Sequence, residues 1–95
     1  MLTQEQKRFL FGLAHSIDPV VLIGKNGLTD AVLKEIDTAL KSHELIKIRI
    51  ASGEKEDRQA MLESICKQLT AHPVKLVGKI IVIYRRADKP KIALP

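Results

Sequence analysis

The sequence predicts an α/β fold, a single two-layer domain with element order α-β-α-β-α-β-β and a four-stranded mixed sheet. Three observations predict it. Amphipathic stretches of helical period alternate with short runs rich in β-branched residues. The run Val20–Ile23 passes through Gly24-Lys25-Asn26-Gly27 directly into a helical pattern, which is a strand–turn–helix junction. Towards the other end, Val74–Val77 and Ile80–Arg85 flank Gly78-Lys79, a short hairpin connection. With 95 residues and 45% apolar content, the chain has material for one core. Residues 1–95 are therefore expected to form one domain, with 86–95 as an extended basic tail.

The first helix is expected to open at Thr3, where Gln6 completes a capping-box pattern. Phe9, Leu10, Leu13 and Ile17 follow at helical spacing and should face the core, and Asp18-Pro19 ends the helix. Val20–Ile23 is apolar throughout and reads as a buried strand. The second helix spans Thr29 to His43, with Val32, Leu33, Ile36, Ala39 and Leu40 as its buried stripe. In the next strand, Leu45–Ala51, Ile46, Ile48 and Ile50 alternate with Lys47 and Arg49, so one sheet face is at least partly wet. Ser52-Gly53 breaks that strand. The third helix, Glu54 to Ala71, buries Met61, Leu62, Ile65 and Leu69, and Pro73 prevents its continuation.

Handedness turns this order into a spatial expectation. A right-handed crossover through the second helix makes the first two strands parallel. If the third strand follows the same rule, the carboxyl ends of three strands share one sheet edge, where open α/β sheets usually bind ligands. Gly24–Gly27, Ser52-Gly53 and Gly78-Lys79 would then lie together, bringing Lys25 and Lys79 close. Arg85 and Arg86 would lie on the opposite edge, and the first helix could carry Lys7 and Arg8 back towards Gly24–Gly27.

The Gly24–Gly27 loop has the chemistry of an anion cradle. Glycine and asparagine tolerate positive φ, so the backbone can turn sharply and present its N–H groups. Lys25 adds a full charge, and the following helix begins with unpaired N–H groups. A phosphate of a nucleic-acid backbone is the natural anion. The spacing is neither that of a P-loop nor that of a dinucleotide fingerprint.

Charge supports a polyanionic partner. The net charge is +5, and residues 67–91 carry Lys67, Lys75, Lys79, Arg85, Arg86, Lys89 and Lys91 against Asp88 alone. Such segregation favours nucleic acid over small acidic molecules. The three aromatic residues Phe9, Phe11 and Tyr84 are too few for a platform that stacks bases on several rings. Phe11, off the apolar stripe, is expected to pack against another element rather than stack on a base.

Other chemistries find little footing. His15, His43 and His72 are scattered near helix ends, and one cysteine without His-x-x-His spacing offers no zinc site. No carboxylate stands in an apolar context suited to acid–base work. No catalytic residue, metal, cofactor or small-molecule substrate is therefore expected. Cys66, the lone cysteine, reads as a small buried hydrophobe. With no disulfide and no signal or membrane segment in view, a cytoplasmic monomer is expected.

Three segments carry a resemblance to a known family: GKNGLTDAVLKEIDTALKSHELIKIRI (Gly24–Ile50), KRFLFGLAH (Lys7–His15) and VGKIIVIYRR (Val77–Arg86). They resemble the CRM domain, named for chloroplast RNA splicing and ribosome maturation, and in particular its stand-alone bacterial YhbY-type members. The resemblance implies a fold similar to the C-terminal domain of initiation factor three. It also implies RNA binding, with bacterial members linked to ribosomal RNA in large-subunit precursors as ribosome assembly factors. The family's GxxG loop falls on Gly24, Lys25, Asn26 and Gly27. Lys79, Lys7 and Arg8 are added as expected RNA contacts on grounds of charge and placement, with Lys47 and Arg49 in a second rank. The competing reading is a ribosome-associated adaptor that contacts protein and not RNA.

Overall fold

In the computed structural model, which describes residues 1–51 and 53–95, the elements follow the expected order. They are α1 (Gln4–Ala14), β1 (Pro19–Ile23), α2 (Asp30–His43), β2 (Leu45–Ile50), α3 (Lys55–Leu69), β3 (His72–Val77) and β4 (Ile80–Tyr84). Thr3 caps α1: its hydroxyl accepts from the Gln6 N–H at 3.1 Å, and its own N–H donates to the Gln6 side chain at 3.0 Å. Thr29 caps α2 through the Val32 N–H at 3.1 Å. Of the expected Ser52-Gly53 break, Ser52 lies outside the described residues.

The sheet order is β1-β2-β4-β3. β1 and β2 are parallel, and β4 runs antiparallel to both β2 and β3. Two reversals make β3 parallel to β1 and β2, so Ile23, Ile50 and Val77 all end on one edge. The opposite edge holds the start of β2 against the end of β4, where Leu45 faces Tyr84.

α2 and α3 form the helical layer. Ile36 and Leu40 of α2, with Leu62, Ile65 and Cys66 of α3, close over Val21, Ile23, Ile46, Ile48, Ile50, Ile81 and Ile83. Burial pushes the Cys66 thiol up to about 11, so it stays protonated. The second sheet face is partly covered by α1 and the tail. Leu10 and Ala14 pack there on Leu45, Val74, Val82 and Tyr84, joined by Phe11, Ile17, Ile92 and Leu94.

Two expectations about burial are corrected. Phe9 and Leu13 are exposed, while Ala14 and Phe11 serve in their place. The sheet patch beneath α1 is narrow and shared with the tail, so only a slim helical face reaches it. β1 is not buried throughout either: Val20 and Leu22 are exposed, because β1 is an edge strand beyond the cover of α1. β3 also begins earlier than expected and includes Pro73, tolerated on an edge strand beside a register irregularity.

Arg85 and Glu44 tie the opposite edge together. The Arg85 guanidinium donates to the Asp37 carboxylate at 2.8 Å and to the Leu69 carbonyl at 2.9 Å, joining α2, α3 and β4. That guanidinium, and then the Lys41 ammonium at 3.2 Å, hold the Asp37 carboxyl below its ordinary range. Glu44 follows α2 with φ 65° and is fully buried. Its carboxylate accepts the N–H groups of Ala87, Lys91 and Ile92, and its carbonyl accepts that of Arg85.

Candidate nucleic-acid interface

Gly24 leaves β1 and its carbonyl accepts the Gly27 N–H at 3.1 Å, closing a turn whose tip is Lys25-Asn26. Gly27 has φ +69°, whereas Gly24 and Asn26 do not take positive φ. The left-handed geometry expected at several loop positions is thus confined to Gly27, which lets the chain turn into α2. A Cβ built at Gly24 or Gly27 meets no heavy atom within 4 Å, so both glycines face open space.

The cradle differs in detail from the expected one. The Gly27 N–H is used by the turn, and the Thr29 N–H by the Gly27 carbonyl at 3.0 Å. Among the described residues no acceptor is found for the N–H groups of Asn26 and Leu28. Asp30 occupies the first turn of α2 and offsets the positive end of its dipole. Attraction for an anion therefore rests on Lys25 and the loop backbone more than on the helix terminus.

The shared edge is stitched by backbone hydrogen bonds. Ala51 N–H donates to the Ile23 carbonyl at 2.9 Å, and Ile50 N–H donates to the Lys79 carbonyl at 2.8 Å. Gly24–Gly27, Ala51 and the Gly78-Lys79 turn therefore line one edge, as expected for strands joined by helical crossovers. Gly78 has φ +56° at the first loop position, suited to a tight turn between Val77 and Ile80. β1 and β4 are separated by β2 alone, about 10 Å at the usual strand spacing. Lys25 and Lys79 are both exposed there.

Lys47 and Arg49 point away from the α2–α3 layer, since the alternate residues Ile46, Ile48 and Ile50 fill that core. Lys47 is half-buried and Arg49 exposed. Lys75, counted in the basic segment but not among the expected RNA contacts, shares their face: it pairs with Val82, and its ammonium lies 5.7 Å from the Phe11 ring centroid. Phe11 also packs on His15 at 4.8 Å, so it serves as structure, as expected. The strand alternation of β3 was the signal for Lys75, hidden by the bulge between Pro73 and Lys75.

Lys7 and Arg8 are not carried back to the glycine loop. Lys7 lines a hollow with Met1, Leu2, His72 and Pro73, so α1 begins beside the start of β3. Because His72 pairs with Tyr84, that is the edge opposite Gly24–Gly27. Around α3, the Arg58 guanidinium donates to the Gly53 carbonyl, and Glu54 and Asp57 form the helix cap. Two hollows lined by Arg86 and Lys89 or by the tail also lie at the far edge, and a third of similar size runs between β1 and α2. The glycine-loop edge is an open surface, suited to an extended polymer rather than an enclosed small ligand.

Comparison with known proteins agrees with this arrangement. The family model for the CRS1 / YhbY (CRM) domain matches residues 2–85. The chain belongs to this family. It is 46% identical over 94 residues to a Haemophilus influenzae protein named as an RNA-binding protein, covering 99% of this chain and 95% of the relative. It is 38% identical over 96 residues to YqeI of Bacillus subtilis, with both chains covered completely. The solution structure of SAV1595 from Staphylococcus aureus superposes with a TM-score of 0.88 at 38% identity, over the whole of both chains. The CRM resemblance read from Gly24–Ile50 and its flanking segments is thus correct, and it extends through α3. No helix among the described residues is long and apolar enough to cross a membrane.

Proposed function

We propose that this CRM-domain chain binds RNA through the glycine-loop edge of its sheet. Its partner is ribosomal RNA in large-subunit precursors, where it acts in the cytoplasm as an assembly factor. One observation carries the reading: three strand ends converge on an edge where an unobstructed glycine backbone stands beside Lys25 and Lys79. Gly24, Lys25, Asn26 and Gly27 approach a phosphate closely, and Lys79, Lys47 and Arg49 hold neighbouring phosphates. Lys7 and Arg8 have only a peripheral part, since they start from the other edge. The name of the Haemophilus relative supports RNA as the partner. The ribosomal target rests on the family resemblance. The contacts position the backbone and leave selectivity to the fold of the RNA.

Salt titration of binding to ribosomal RNA fragments tests the reading. With about four phosphates neutralised, log K should fall against log salt with a slope of roughly −3 for single strands. A slope near zero would point instead to an adaptor that reaches the ribosome through protein contacts.

A comparison of two double variants tests the location. Lys25→Ala with Lys79→Ala should weaken binding about tenfold or more, the loss expected for two phosphate contacts. Arg86→Ala with Lys89→Ala, on the far edge, should change it less than about threefold. Arg85 is left intact because it braces α2 and α3. The reverse ranking would move the interface to the tail.

A further inference from the structure

The last residue row of the open sheet face is exposed at three of its four positions, with Ile80 partly buried against the α1 cluster. Leu22 stands beside Arg49, Arg49 faces Ile80, and Ile80 faces Val77, one residue from each of the four strands. Leu22 is 58% and Val77 48% exposed. α1 covers the rows behind, where Lys47 and Lys75 flank Val82. The four strands contain no Asp or Glu, and their three Lys and Arg residues, Lys47, Arg49 and Lys75, all lie on this face. None of the three has a carboxylate partner among the described residues.

We propose that this row is a platform for unpaired bases, so that the RNA segment bound is single-stranded. The inference rests on the RNA-binding reading above and specifies its ligand. Phosphates held at the Gly24–Gly27 and Lys79 edge leave the bases of the same strand free to turn onto the adjoining face. There the planar Arg49 guanidinium offers a stacking surface, flanked by the apolar side chains of Leu22, Ile80 and Val77. Paired bases in a duplex are already stacked and could not cover this apolar row. A second copy of the chain would place the same three cations opposite these, so charge favours a polyanion.

The test compares a single-stranded oligoribonucleotide of about twelve nucleotides with the same strand annealed to its complement. The single strand should bind about tenfold more tightly than the duplex. Arg49→Lys keeps the charge but loses the plane, and should cost about fivefold on the single strand with the salt slope unchanged. Leu22→Tyr supplies a ring at an exposed strand position and should gain about fivefold on the single strand alone. Equal affinity for both RNAs, or no effect of Arg49→Lys and Leu22→Tyr, overturns the platform. If binding to both RNAs still weakens in Gly24→Asp, the edge reading survives that result. Absence of RNA binding by the unaltered protein overturns both. Sedimentation showing that Leu22→Tyr disrupts a dimer assigns the face to a second copy and overturns the platform.

Discussion

Gly24→Asp is expected to lower RNA affinity by about tenfold to a hundredfold while leaving the protein folded. A Cβ at Gly24 meets no atom within 4 Å, and its φ lies outside the left-handed range, so the substitution introduces no strain. The new carboxylate would stand beside Lys25, cancel its charge locally and repel the phosphate. Losing one charge-assisted contact and adding a repulsion corresponds to about 1.5–3 kcal/mol. Gly27→Asp is a poorer probe: φ is +69° there, and a residue with a Cβ is strained by about 1–2 kcal/mol. Binding isotherms and thermal melts of Gly24→Asp together decide the matter. Unchanged affinity in a protein with unchanged melting would remove the loop from the interface.

Glu44→Gln should destabilise the fold by about 2 kcal/mol and lower Tm by roughly 10 °C. Burial alone would raise the Glu44 carboxyl, but the N–H groups of Ala87, Lys91 and Ile92 hold it below its ordinary value of 4.5. In the Gln variant one of the two accepting oxygens becomes an amide donor, so the N–H it had accepted, that of Ala87 if the other oxygen is kept, is left unsatisfied. The tail should loosen first, since the carboxylate is what fixes it. Hydrogen exchange at Ala87, Lys91 and Ile92 should report that loss directly. The pH dependence has a definite sign. A carboxyl with a lowered folded pKa adds stability above pH 4.5, and that stability is lost as pH falls through the lowered value. The Tm gap between wild type and Glu44→Gln should therefore be full at neutral pH and close as pH falls below 4.5 through the lowered value. Asp37, whose carboxyl is also held low, is common to both proteins and cancels in the difference. A gap independent of pH would show that the charge of Glu44 is not what anchors the tail.

The sequence by itself determined the elements and the edge. Capping residues Thr3 and Thr29, the alternation in Leu45–Ile50 and the two-residue Gly78-Lys79 loop are local features, written in neighbouring residues. Helical crossovers that return parallel strands then placed Gly24–Gly27 and Lys79 on one edge, because such strands end on the same side of the sheet. Tertiary structure alone decided which faces are covered. A helical stripe such as Phe9–Leu13 states that something will be buried, but not how wide the patch beneath is. The contacts of Glu44 with Ala87, Lys91 and Ile92 span 43 to 48 residues, and those of Arg85 with Asp37 span 48. No local pattern encodes such pairs. The same holds for the row of Leu22, Arg49, Ile80 and Val77, since its members become neighbours only when strand order and register are set.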